Sequence, residues 1–212
     1  MNIKIKIAEV LAGLAWTVQH EQGARDLEIT SDPWSKTHFI KIPTAGPEWR
    51  DIEYLHELAH ATLAERHHLL ATAYYIRATP AAYCAPLVDP FRTASDWYAD
   101  DLLMQWAPDQ EREEILEHAG YALNNISRDR TMIYGGGLFL AQAVRYCKQS
   151  LNDVPRRYRP VAKVLLSFDP SRPTVSDKQN LINRLATLTC PYRVHPAKED
   201  GMDVWQIRKE KS

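Results

Sequence analysis

Cysteine is scarce in this chain: 212 residues hold three, Cys84, Cys147 and Cys190, and no C-x-x-C pair. An odd, widely spaced set excludes a disulfide framework and a cysteine-based zinc site. It suits a reducing compartment, and the cytoplasm is the expected location. A dominant charge is lacking too. Lys and Arg number 26 against 27 Asp and Glu, a formal net charge of −1. No global field therefore draws the chain to an anionic membrane, and charge gives no indication of nucleic-acid binding. No apolar run reaches the roughly 18 residues of a membrane helix. Glycine is limited to eight residues, with no G-x-G-x-x-G. The run YGGG, residues 134–137, lacks the lysine and hydroxyl of a phosphate loop and reads as a flexible turn or helix entry.

What is present is an ordinary globular composition, 45% hydrophobic and 25% charged, in a length that suits one sizeable domain or one domain with a helical extension. In MNIKIKIAEVLAGLAWTVQHEQG, Lys4, Lys6 and Glu9 interrupt the apolar residues. The spacing of Ile3, Ile7, Val10, Leu11 and Leu14 predicts an amphipathic helix ending near Gly23 rather than a secretory signal. LEITSD and THFIKIP flank Pro33 and read as two strands joined by a turn. A long helical pattern follows from Glu48 toward Ile76, then an irregular proline-containing stretch over 78–91. A helix is expected over about 95–106, capped by Thr93 or Ser95. Another begins at Pro108, and a further apolar helix follows YGGG. RRYRP, residues 156–160, reads as a solvated basic loop, SDKQNLINRLATLT as a last helix, and the residues after Pro196 as a loose tail. A strand pair followed mostly by helices predicts an α+β fold. Residues 1–106 would form its core, with a mostly helical region over 107–212 packed on it.

The stretch IEYLHELAHATL, residues 52–63, contains H-E-x-x-H: His56, Glu57 and His60. Two histidines four apart project from one helix face about a turn apart, so they can share a metal ion. A glutamate directly after the first is placed to take a proton from an attacking water and pass it to a leaving amine. The plain alternative is a pair of half-buried histidines in ordinary hydrogen bonds. A catalytic zinc needs a third protein ligand. The extension with a glycine and a third histidine is absent, because Leu63 and Arg66 occupy those positions. His67 would lie about 10 Å further along the helix axis than His60. Asp96 and Asp100, in SDWYADDLLMQW, are four apart on one helix face, with Asp101 adjacent. Glu111, Glu113, Glu114, Glu117 and His118 fit an exposed charged helix more simply. Tyr98, His118, Tyr121 and Tyr134 are each able to stabilise a developing oxyanion by hydrogen bonding, and the sequence does not choose among them.

HELAH followed by DWYADDLLMQW resembles the gluzincin metallopeptidases, whose third ligand sits in an E-x-x-A-D run on a following helix. Within that group the segment is similar to the small bacterial and phage peptidases of the ImmA/IrrE type. The similarity covers roughly residues 25–106. It implies a zincin-like core, a short antiparallel sheet on the H-E-x-x-H helix. It implies one Zn2+ per chain on His56, His60 and Asp96, with Glu57 as catalytic base and Asp100 supporting a zinc histidine. It also implies hydrolysis of a peptide bond in a specific intracellular protein, in a regulatory role. Asp96 replaces the group's glutamate and is one methylene shorter, and alignment on the Leu-Leu-Met run would put Arg92 at that position instead. In zincins the edge strand before the active helix pairs with the substrate backbone, and THFIKIP is the candidate. The rival expectation is a zincin-fold protein with weak or no hydrolysis that binds a partner protein or DNA.

Overall fold

A computed structural model describes residues 2–24, 26–44, 49–125 and 131–210. The elements in chain order are α1 (Ile3–Gly13), β1 (Thr17–Ala24), β2 (Glu28–Asp32), β3 (Thr37–Pro43), α2 (Asp51–Arg66), α3 (Ala81–Cys84), α4 (Val88–Trp106), α5 (Pro108–Asn124), α6 (Thr131–Tyr146), α7 (Arg159–Leu166), α8 (Val175–Ala186), β4 (Tyr192–Glu199) and β5 (Met202–Lys209). The fold is α+β. The chain divides into two compact units, residues 1–72 with 99–111 and residues 73–98 with 112–212. Among the described residues no helix is long and apolar enough to cross a membrane.

The first unit is a three-stranded sheet with α2. Strand order is β1-β3-β2, with β1 parallel and β2 antiparallel to β3. The sheet is therefore mixed, not purely antiparallel, and THFIKIP is its centre rather than an edge. Both sides of β3 are occupied, which removes it as a docking strand. The correction follows from β1: α1 stops at Gly13 and the chain turns extended at Leu14. The expected helix to Gly23 gives way to a strand whose only half-buried hydrophobic residue among 17–23 is Val18. Helix α2 opens with the Glu53 carboxylate accepting the backbone N–H of Arg50 (3.0 Å). Asp51 and Glu53 also complement the helix dipole in the first turn. Ile52, Leu55, Leu58, Ala59 and Leu63 are buried, so most of the helix surface lies in the core. The helix ends at Arg66, ten residues before the sequence pattern fades. His67 is extended and its Nδ1 accepts from the Leu69 amide (3.3 Å), starting a short 3-10 turn.

A polar cluster fastens this unit. His38, 0% exposed on β3, has Nδ1 2.8 Å from Ser31 Oγ and Nε2 3.1 Å from Glu65 Oε1. Glu65 also accepts the amides of Ala15 (2.9 Å) and Trp16 (2.6 Å), and the Trp16 ring stacks on His38. One carboxylate thus joins the last turn of α2, the middle strand and the α1–β1 link. Burial lowers the His38 pKa and outweighs the upward pull of Glu65. For Glu65 burial pushes upward, but the two amides and His38 outweigh it and hold the carboxyl below its ordinary value.

The second unit is helical with a terminal hairpin. Gly136 and Gly137 lie inside α6, not in a turn before it. A Cβ at Gly136 would meet the Tyr158 ring at 2.6 Å, and one at Gly137 the Val161 side chain at 2.5 Å. The glycines let α6 and α7 approach closely, as helix surfaces without side chains allow. RRYRP is correspondingly not a solvated loop. Tyr158 is fully buried, and the Arg159 guanidinium donates to the carbonyls of Val154 (2.8 Å) and Asn152 (3.1 Å). The expected loose tail is the hairpin β4–β5, turned by Asp200 (φ 50°) and Gly201 (φ 81°). Two left-handed residues in an Asp-Gly turn are the favoured two-residue hairpin connection. On the outer side of β4, Val194 donates its N–H to Asn183 Oδ1 (2.8 Å) and accepts from Asn183 Nδ2 (3.0 Å) and Gln179 Nε2 (3.1 Å). Two α8 amides take the place of a neighbouring strand there. Helix α4 begins at Val88 rather than near Ser95, since Pro90 sits in the first turn, where no helical N–H is needed. The residues before it form α3 and a 3-10 turn, replacing the expected irregular run.

Candidate metal centre

The H-E-x-x-H residues lie on α2, where His56 and Glu57 are half-buried among core positions. His56 and His60 approach each other through their Nε2 atoms, 3.0 Å apart. Two nitrogens bound to one tetrahedral zinc at 2.0–2.1 Å would stand about 3.3 Å apart, so the pair is close to a chelating separation. The other nitrogen of His56, Nδ1, is 2.8 Å from Asp100 Oδ1. An ionised carboxylate only accepts, so Nδ1 carries the proton and Nε2 presents its lone pair. That tautomer turns an unprotonated nitrogen toward His60, as a metal-binding pair requires.

Helix α4 is unbroken from Val88 to Trp106, which sets Asp96 one turn ahead of Asp100 on the same face. His56, His60 and Asp96 each offer one ligand atom, and these atoms all lie within 4.8 Å of one another. Two imidazole nitrogens and one carboxylate oxygen match the donor types of a catalytic zinc site and suit hard alkaline-earth cations poorly. Among the described residues no other group of three His, Cys, Asp or Glu side chains comes together in this way. Asp101 instead accepts from Gln105 Nε2 (2.9 Å).

Glu57 occupies a position no local pattern indicated. Its Oε2 accepts the backbone N–H of Ile29 on β2 (2.8 Å). Ile29 pairs with Ile40 of β3 in the antiparallel ladder, yet its N–H points away from β3, toward the outer side of β2. The proposed base therefore stands against the sheet's outer edge.

Of the four residues considered for an oxyanion, Tyr98 is 1% exposed and its hydroxyl has no hydrogen-bond partner. Burial, with a smaller effect of the Asp177 charge, raises its pKa. The Tyr134 hydroxyl donates to the Leu185 carbonyl (3.1 Å) and lies 2.8 Å from Thr189 Oγ1. His118 stacks on Phe139, and Tyr121 is 57% exposed. The geometry thus uses Tyr134 and His118 in the packing of the helical unit and leaves Tyr121 to solvent. Of the late acids, Glu111 is buried while Glu113 and Glu117 are exposed. One neighbour of Asp96 escaped the sequence reading. Lys178 on α8 is fully buried, with Nζ donating to Ser95 Oγ (2.8 Å) and lying 5.9 Å from the Phe91 ring centroid. Burial lowers its pKa to about 7, against the opposing pull of Asp96. Nothing in SDKQN distinguishes this lysine from a surface one.

A scan against protein-family models finds no match, and searches of curated proteins and of solved structures find none either.

Proposed function

We propose that the chain is a zinc metallopeptidase with a gluzincin-like site. The observation that carries this reading is the convergence of His56, His60 and Asp96 within 4.8 Å, with the His56 tautomer set by Asp100. The α+β core, with a small sheet beside the H-E-x-x-H helix, is consistent with a zincin arrangement. His56, His60 and Asp96 would hold one Zn2+. The ion would supply Lewis-acid polarisation of a peptide carbonyl and lower the pKa of water to about 7. The chain's own groups then have distinct tasks. Asp100 fixes the His56 ring. Glu57, the next residue on α2, accepts a proton from the attacking water and delivers it to the leaving nitrogen. The outer side of β2, rather than β3, supplies backbone groups to a peptide laid in extended form. A protein or peptide is therefore the substrate class.

The test is zinc content together with proteolysis. Purified wild type and Glu57→Gln should each hold one zinc per chain, and only the wild type should generate new protein termini in cells. Equal termini from both, or no zinc in either, refutes the proposal. A second reading, a partner-binding protein with weak or no hydrolysis, draws on the engagement of Glu57 with Ile29. It requires that the two proteins capture the same partner and that neither cleaves it.

A further inference from the structure

The contact between Glu57 and Ile29 joins two functions that a peptidase must keep in step. A strand added to β2 needs the outward-facing N–H and C=O groups of that strand. In an antiparallel ladder these belong to alternate residues, and Ile29 is one of them because its N–H leaves β3 and donates to Glu57 Oε2 (2.8 Å). β2 is an outer strand of the three. The carboxylate that would act as base therefore occupies a donor that an arriving peptide would use.

We propose that Ile29 N–H is a latch on the base: it holds the Glu57 carboxylate against β2 until an extended peptide takes that N–H with its own carbonyl. The inference rests on the peptidase reading above. The exchange is close to neutral, since one N–H···O bond replaces another, although the carboxylate bond is the stronger of the two. The further contacts that a longer peptide makes supply the difference. The consequence is selectivity by length. A ligand too short to pair with β2 leaves Glu57 latched, whereas one long enough frees it. A stray water or small amide thus meets a base held away from its task, which limits idle chemistry at the site. Ile29 is in this sense a positioning residue, acting through its backbone and not its side chain.

Proline at position 29 removes the N–H while sparing the ladder, because that N–H does not bond β3. Valine keeps it. The first readout is made on metal-free protein. The Glu57 side-chain carboxyl carbon resonance should move in Ile29→Pro and stay in Ile29→Val. Exchange of the Ile29 amide should accelerate at least tenfold in Glu57→Ala. The second readout is made on zinc-loaded protein with two probes, acetyl-alanyl p-nitroanilide and a tryptic peptide library from a whole proteome. Ile29→Pro should raise turnover of the anilide relative to the library at least tenfold, and Ile29→Val should leave the ratio unchanged. An unmoved Glu57 resonance, an Ile29 amide indifferent to Glu57→Ala, or an unchanged ratio overturns the latch. Should Ile29→Pro not fold, the amide-exchange measurement alone decides whether the contact exists. If the contact is present but the zinc-loaded wild type cleaves neither probe, the peptidase reading fails, and the latch fails with it as a device for catalysis.

Discussion

Two histidine clusters are built from α2, and they differ in one respect that separates structure from chemistry. At the end of the helix, His38 is sealed: Nδ1 faces Ser31, Nε2 faces Glu65, and the side chain has no exposure. Near its middle, His56 meets a carboxylate through Nδ1, while its Nε2 lies 3.0 Å from His60 Nε2 and the side chain is 26% exposed. The first ring has spent both nitrogens on the fold. The second has one nitrogen committed and one aimed at a second donor. A histidine sealed between a hydroxyl and a carboxylate is a cross-link; one turned toward a second imidazole beside a carboxylate suits the proposed metal.

The sharpest way to break this contrast is to remove a donor. His60→Ala should reduce zinc from one per chain to below about 0.1 after gel filtration, since two protein donors hold zinc poorly, while His38→Gln keeps the metal. Next in size, Glu57→Gln should lower peptide hydrolysis by about 10²–10⁴-fold with zinc content unchanged. Asp100→Asn should weaken zinc affinity by about 10–100-fold in chelator competition, because the His56 ring loses its tautomer support. An unchanged affinity would reduce the 2.8 Å contact to packing.

The sealed cluster should instead appear in stability. Glu65→Ala strands two backbone amides and a buried histidine nitrogen, and urea unfolding should show a loss of about 2–4 kcal/mol. Its pH dependence has a definite sign. His38 and Glu65 both have pKa values below their ordinary 6.5 and 4.5, so the unfolded chain binds more protons than the folded one. The stability they contribute is complete above pH 6.5. It falls first through His38 as pH drops below that value and then through Glu65 below 4.5. His38→Gln should flatten the upper part of that curve relative to wild type. The smallest effect falls in the second unit: Gly136→Ala, which drives a methyl into the Tyr158 ring, should destabilise by about 1–3 kcal/mol without altering zinc content.

Much of this was legible in the residues, for physical reasons that also mark the limit. The helix of His56 and His60 announces itself because its candidate ligands are four apart, and the four-residue step from Asp96 to Asp100 does the same for α4. The two strands around Pro33 were readable from β-branched and aromatic runs. β1 was not, because its residues are mostly polar and its hold on the sheet comes from partners on β3 such as Thr37 for Thr17 and Pro43 for Ala24, far along the chain. Asp200-Gly201 did carry a hairpin signal, outweighed by the charged residues around it. YGGG looked like a turn because glycine's lack of a side chain is the same asset in a turn and in a close helix crossing. The partners of Glu57, Glu65 and Lys178 are 28, 50 and 83 residues away in sequence, and no local pattern encodes such a meeting.

The side chains of Asn183 and Gln179 give β4 a finished border. A second copy of the chain arriving at Val194 finds that residue's carbonyl and amide already spoken for, so the hairpin cannot seed a growing stack through that point. Recruitment by backbone pairing is thereby steered away from this point of the ribbon.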